Sequence, residues 1–322
     1  MKYNSKITAT GSYLPSKILT NFDLSKIVET SDEWITERTG IKQRHIADDS
    51  QLTSDLAFNA CQNLFKTTTL TPQDIDLIIV ATTTPDLTFP STACILQGKL
   101  QASKAFAFDI QAVCSGFIYA LSIANSYISS GMVKNALVIG SETLTRIIDW
   151  SDRNTCVLFG DGAGAVLLQA TENQNEGIIS QSISSNGDLV SILKTNSGAS
   201  LNQRSGFIEM QGKEVFKHAV EKMSNSVFTA LSKANLKETD IDLLVPHQAN
   251  LRILDAVASK LKLPANKVIT TLQNHANTSA ASIPLALDYA HQNHKIKAND
   301  IVVLEALGGG LTWGSIILRW QS

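Results

Sequence analysis

No stretch of this 322-residue chain reaches the roughly 18 consecutive apolar residues of a membrane span, and its first residues, Met1-Lys2-Tyr3-Asn4-Ser5-Lys6, lack the apolar core of a secretory signal. A cytoplasmic location without membrane insertion is expected. The four cysteines, Cys61, Cys94, Cys114 and Cys156, are widely spaced and include no Cys-x-x-Cys pair, which argues against a disulfide framework and a zinc site. Charge of neither sign dominates: 27 Lys and Arg stand against 29 Asp and Glu, for a net charge of −2. That balance argues against general nucleic-acid binding and makes any basic docking site a local one. What the chain does have is apolar mass, 43% of its residues, enough for a large core in one domain or two.

The apolar residues fall in a repeat. Asp74-Ile75-Asp76-Leu77-Ile78-Ile79-Val80 is echoed by Asp240-Ile241-Asp242-Leu243-Leu244-Val245, and Asn135-Ala136-Leu137-Val138-Ile139-Gly140 by Asn299-Asp300-Ile301-Val302-Val303-Leu304. Short Val/Ile/Leu strands alternate with longer helical stretches in each half, the pattern of an α/β protein whose sheets are covered by helices. The polar bridge Thr171–Glu176 divides the chain into halves expected at 1–172 and 173–322. A less regular segment, Ser184 to Ser205, is rich in Ser, Asn and Gly and reads as a surface excursion.

One cysteine stands apart. Ala105–Ile110 reads as a strand, and the run after Ala112-Val113-Cys114-Ser115-Gly116 has helical periodicity ending at Gly131. Cys114 is thus expected at a helix mouth, where unpaired N–H groups and the positive end of the helix dipole favour thiolate and lower its pKa. Cys61, Cys94 and Cys156 read as small core residues. In the second half His247 follows the strand ending Val245-Pro246, and Asn274-His275-Ala276-Asn277-Thr278-Ser279-Ala280-Ala281-Ser282 opens a helix as Cys114 does. A structural repeat would bring the two helix mouths together. Gly308-Gly309-Gly310 follows a strand and would let backbone N–H groups approach a ligand, or would simply turn the chain.

Taken with Thr10–Pro15, Ser31-Asp32-Glu33-Trp34-Ile35, Arg38-Thr39-Gly40-Ile41, Phe89–Cys94, Phe159–Ala165 and Gly308–Gly314, these motifs resemble the β-ketoacyl-acyl-carrier-protein synthase III family, initiating condensing enzymes with a thiolase-like fold. The resemblance runs essentially end to end. It implies a five-layered αβαβα fold of two duplicated halves, usually a homodimer, with Cys114, His247 and Asn277 as the catalytic residues. It also implies the reaction: Cys114 accepts an acyl group, acetyl in the usual case, from acyl-CoA and condenses it with malonyl-acyl-carrier protein, with loss of carbon dioxide. CoA is then a substrate, and no cofactor or metal is called for. Backbone N–H groups of Cys114 and Gly309 would form the oxyanion hole. Residues 305–314 hold no second cysteine of the degradative thiolase type, and Asn277 stands where hydroxymethylglutaryl-CoA synthases would call on a glutamate.

The resemblance further assigns Trp34 and Arg38 to the adenine end of CoA, Arg153 to a further CoA contact, Phe216 and Asn250 to the pantetheine channel, and Phe89 to the acyl pocket of a partner subunit. Lys217 and Arg252 would dock the acidic carrier protein. Four positions depart from the family pattern: Val113 where alanine is common, Ala276 where glycine often precedes the asparagine, and Leu307 and Leu311 where phenylalanines flank the glycine loop. They leave longer or branched primers open. A related acyltransferase of secondary metabolism and a catalytically silent scaffold subunit remain the alternatives.

Overall fold

Leu77–Ala81 is buried at every position, as expected of a strand inside a sheet covered on both faces. In the computed structural model, which describes residues 3–321, its sheet contains β1 (Asn4–Tyr13), β2 (Leu77–Ala81), β3 (Phe106–Ile110), β4 (Asn135–Thr143) and β5 (Asp161–Thr171). Their order is β1-β5-β4-β2-β3, with β2 parallel to both neighbours and β5 antiparallel to both of its own. The second sheet contains β6 (Gly177–Ser185), β7 (Leu243–Pro246), β8 (Ile301–Gly308) and β9 (Thr312–Arg319) in the order β6-β9-β8-β7, with the same pattern of parallel and antiparallel pairs. The place of β3 is taken by a single bridge from Leu244 to Val268. The strand order is therefore repeated, with the last strand of the second sheet reduced to one pairing.

Register corrects one expected correspondence. Leu77 pairs with Ala136 and Leu243 with Val302, so Asn135 is equivalent to Ile301, two residues beyond the Asn299 suggested by the matching asparagines. The same frame sets His247 opposite Ala81 of the first half.

Alternation of side chains builds five layers. Leu77, Ile79 and Ala81 pack inward on α3 (Gly116–Ser129) and α6 (Ser282–Gln292), which share one core with Val302, Leu304 and Ala306 of the second sheet. Ile78 and Val80 face the outer helices α1 (Thr53–Phe65) and α2 (Thr92–Leu100). On the far side, Val303 and Leu307 meet α4 (Gly212–Lys233) and α5 (Leu251–Lys260). The fold is the thiolase-like αβαβα arrangement, with both helix mouths in its central layer.

Two expectations fail on burial. Cys94, expected in the core, is exposed, because the first turn of α2 lies beside β3, which no strand of this chain covers. Residues 184–205 are more than an excursion: a two-stranded ribbon, Leu193–Thr195 with Ile208–Met210, lines the main cavity.

Candidate active site

The nucleophile position is fixed by close backbone packing. After β3 the chain makes a single 3-10 turn, Val113–Ser115, before α3 begins at Gly116. Val113 holds φ at +48°, a left-handed value that a β-branched residue adopts only when its surroundings impose it. Those surroundings are the glycine loop. A Cβ on Gly308 would lie 2.7 Å from the Cys114 nitrogen, so only glycine lets this strand end rest on the Cys114 amide. The hydroxyl of Thr312 reaches the carbonyls of Ala112 and Gly309 at 3.0 and 3.1 Å, and the Ser115 hydroxyl reaches Thr312 at 2.7 Å. Gly309 is thereby tied to the cysteine turn.

His247 extends from β7, its N–H bonded to the Glu305 carbonyl at 2.8 Å. Its Nδ1 lies 2.6 Å from Ser282 Oγ. That oxygen also accepts the Gln248 N–H at 3.4 Å and can still donate its own hydrogen to Nδ1, the arrangement that leaves the ring proton on Nε2. The carboxamide of Asn277 is oriented in the same way: Oδ1 accepts the Ser279 N–H at 2.9 Å, leaving both Nδ2 hydrogens to donate. Asn277 is also held from the first half, since its N–H bonds to the Leu158 carbonyl at 2.9 Å and its carbonyl accepts the Gly160 N–H at 3.0 Å.

Cys114, His247 and Asn277 line one cavity of about 780 Å³, together with Arg38, Phe216, Asn250, Arg252 and Gly309. The remaining expected contacts lie outside its wall. Both Arg38 and Arg153 pack on the Trp34 indole, 4.8 and 5.1 Å from the ring centroid, at the end where Arg38 reaches the cavity. Lys217 is exposed on α4 next to Phe216, over whose ring Arg252 sits at 5.8 Å. Phe89 is 83% exposed and is not part of the wall of this chain's own cavity.

Burial overturns the expected resting thiolate. Cys114 is 5% exposed, and burial pushes its thiol up to about 12, outweighing the Ser279 hydroxyl and its own backbone N–H, which pull the other way. Burial likewise pushes His247 down to about 3. The resting site therefore holds a neutral thiol and a neutral imidazole, a pair suited to donating hydrogen bonds rather than to a standing thiolate–imidazolium pair.

Sequence reasoning missed Ser282 and Ser279 as individual residues and missed the buried carboxyls Glu142 and Glu305 altogether. A glutamate inside the otherwise apolar strands Asn135–Thr143 and Ile301–Gly308 was the signal available.

Comparison with known proteins follows the same lines. The family model for the C-terminal part of 3-oxoacyl-[acyl-carrier-protein] synthase III matches residues 231–320, and the model for 3-oxoacyl-[acyl-carrier-protein] synthase III matches residues 108–187. The chain is 59% identical over 317 residues to the beta-ketoacyl-[acyl-carrier-protein] synthase III of Wolbachia pipientis wMel, and 55% identical over 315 residues to that of Ehrlichia canis strain Jake. Each match covers 98% of this chain and 99% of the relative. The solved structure of 3-oxoacyl-[acyl-carrier-protein] synthase III from Aquifex aeolicus VF5 matches with a TM-score of 0.94 at 49% identity, over 98% of this chain and 100% of that one. The priming beta-ketosynthase of the R1128 polyketide pathway matches with a TM-score of 0.94 at 30% identity, over 100% of this chain and 97% of that one.

Proposed function

Since this chain belongs to the β-ketoacyl-[acyl-carrier-protein] synthase III family, we propose that Cys114, His247 and Asn277 carry its initiating condensation of fatty acid synthesis. The observation that supports the assignment most directly is that Cys114, His247 and Asn277 converge on one cavity, the last with both carboxamide hydrogens left to donate. Cys114 sulfur attacks the thioester carbonyl of acyl-CoA, acetyl-CoA in the first instance; the carbon–sulfur bond to CoA breaks, and the acyl group stays on the enzyme. The oxyanion sits against the N–H groups of Cys114 and Gly309, which the Gly308 contact holds in register.

Malonyl-acyl-carrier protein then binds and loses carbon dioxide. The charge left on its thioester oxygen is met by His247 Nε2–H and Asn277 Nδ2–H. A neutral imidazole serves this step well because it donates without itself changing charge. The enolate carbon attacks the acyl-Cys114 carbonyl, the thiolate leaves, takes up a proton, and 3-oxoacyl-carrier protein is released. Every step is assigned to this chain's groups and its two substrates, with no resident cofactor or metal.

At the far end of the channel, adenine would replace one guanidinium on the Trp34 face and stack against the other, while pantetheine passes Phe216 and Asn250. Lys217 and Arg252, with Lys213 at the cavity wall, form the local basic area that an acidic carrier protein would meet. A homodimer forms through the free edge of β3, where Leu87, Phe89 and Phe106 are 53%, 83% and 39% exposed, and delivers Phe89 to the partner's acyl pocket. Among the described residues no helix is long and apolar enough to cross a membrane, and the location proposed is the cytoplasm.

Two measurements test the proposal. Intact mass after mixing with acetyl-CoA should rise by one acetyl group on Cys114, and adding malonyl-acyl-carrier protein should release carbon dioxide and 3-oxoacyl-carrier protein. Acylation without that product would instead support transfer to another acceptor, and no mass gain would support a silent subunit. For docking, Arg252→Glu should weaken the apparent affinity for malonyl-carrier protein at low salt; an unchanged value would remove Arg252 from the docking site.

A further inference from the structure

A thiol held near 12 must lose its proton at some point before or during attack, and His247, held near 3, is a poor acceptor for it. A second group lies beside the sulfur. Glu142, next to last in β4, is fully buried. One carboxyl oxygen, Oε2, accepts the Thr83 N–H at 3.0 Å and the hydroxyls of Thr84 and Thr82 at 2.8 and 3.3 Å. The other, Oε1, is buried and has no hydrogen-bond partner. Ser279 Oγ is buried and unpartnered too, although Ser279 lines the cavity with Cys114.

Backbone packing brings these groups together. A Cβ on Gly140 would fall 2.1 Å from the Ala280 carbonyl oxygen, so β4 presses directly on the turn that carries Ser279. A Cβ on Gly116 would fall 3.5 Å from the Ala280 Cβ, so the helix after Cys114 touches the same turn. Ser279 holds φ at +49° in the process. Its hydroxyl acts on the titration of both Cys114 and Glu142, and the Glu142 charge raises Cys114 further. That hydroxyl makes no hydrogen bond in the resting protein, which leaves it available to either neighbour.

We propose that the Cys114 proton leaves through the Ser279 hydroxyl to Oε1 of Glu142, and returns by the same route to the CoA sulfur. The inference rests on Cys114 being the acylated nucleophile. In the forward step the S–H bond breaks, Ser279 accepts that proton and gives its own to Glu142, and the thiolate attacks the acyl-CoA carbonyl. When the bond to CoA breaks, Glu142 gives the proton back through Ser279 to the departing thiolate, and the carboxylate is restored. The buried site carries one negative charge throughout, first on the carboxylate and then on sulfur. Two like charges are never held together there, whereas transfer to His247 would create a buried ion pair. Burial holds Glu142 at about 7, far closer to the thiol than His247 is, which makes the carboxylate the better acceptor. Cys114 is the titratable group that feels Glu142; the groups facing Glu142 are the hydroxyls and amides of Thr82, Thr83, Thr84, Ser279 and Ala280.

The test is the pH dependence of Cys114 modification, read by intact mass. In the unacylated wild type, alkylation by iodoacetamide should rise with pH through about 7 and then level, as the acceptor ionises. Glu142→Gln and Ser279→Ala should each abolish that rise and slow acyl-enzyme formation from acetyl-CoA at pH 7.5 by roughly 100-fold. The double variant should be no slower than the slower single one, because one route is cut twice. Either variant keeping the wild-type profile and acylation rate would overturn the relay, and Ser279→Ala decides alone if Glu142→Gln does not fold. If wild-type protein takes no acetyl group on Cys114, the nucleophile assignment fails instead.

Discussion

Single side chains set the chemistry. Loss of either donor to the enolate oxygen, by His247→Ala or Asn277→Ala, should cost condensation about 3–4 kcal/mol of transition-state stabilisation. Single-turnover formation of 3-oxoacyl-carrier protein measures it, and acylation of Cys114 should suffer less. Glu305 makes a separate prediction about stability. It is fully buried with neither carboxyl oxygen paired, and burial raises it from 4.5 to about 8. Between those values the unfolded chain binds fewer protons than the folded one, so the stability is fully present below the unfolded value and is lost as pH rises toward the folded one. Glu305→Gln should remove that loss. Its Tm relative to wild type should climb from pH 5 to pH 8, by roughly 1–2 °C for each kcal/mol recovered, and a constant difference would contradict the assignment. The three side chains of the proposed site could be named from motifs alone, but their protonation could not. A helix mouth is a local feature that favours thiolate, whereas the burial that opposes it comes from strands and turns more than a hundred residues away in the chain.

Secondary elements position those side chains by contact between backbones. The tightest such contact is Gly140 of β4 against the 279–281 turn, so Gly140→Ala should push that turn, with Asn277 and Ser279, off the site. The expected result is a loss of at least about 1–3 kcal/mol of stability together with loss of condensation. Denaturant unfolding and product assay check both, and an active variant of unchanged stability would show that the contact yields. Strands such as Leu77–Ala81 were legible because burial on both faces leaves a continuous apolar run. Their equivalents were less so: matching Asn135 to Asn299 misplaced the repeat by two residues, since hydrogen-bonded register follows Leu77 and Leu243, not isolated asparagines. The ribbon 193–210 was illegible as a cavity wall, because its apolar residues are scattered among polar ones and gain a common face only when the two short strands pair.

At the scale of the molecule, the uncovered edge of β3 and the apolar residues around it require an answer, and the proposed dimer would supply it. Sedimentation should give twice the chain mass, and Phe106→Asp should shift the population toward monomer; a wild type that sediments as a monomer would refute the pairing. The duplicated strand order was visible in the sequence as a repeat, but the dependence of one half on the other was not. Asn277 belongs to the second half by chain order, yet it is pinned by Leu158 and Gly160 of the first. A gene divided between them would thus encode two fragments of which neither can hold a complete set of proton donors. The halves are joined at that two-bond splice, and a circular permutation or fragment exchange that breaks it should free Asn277 from its place beside the cavity.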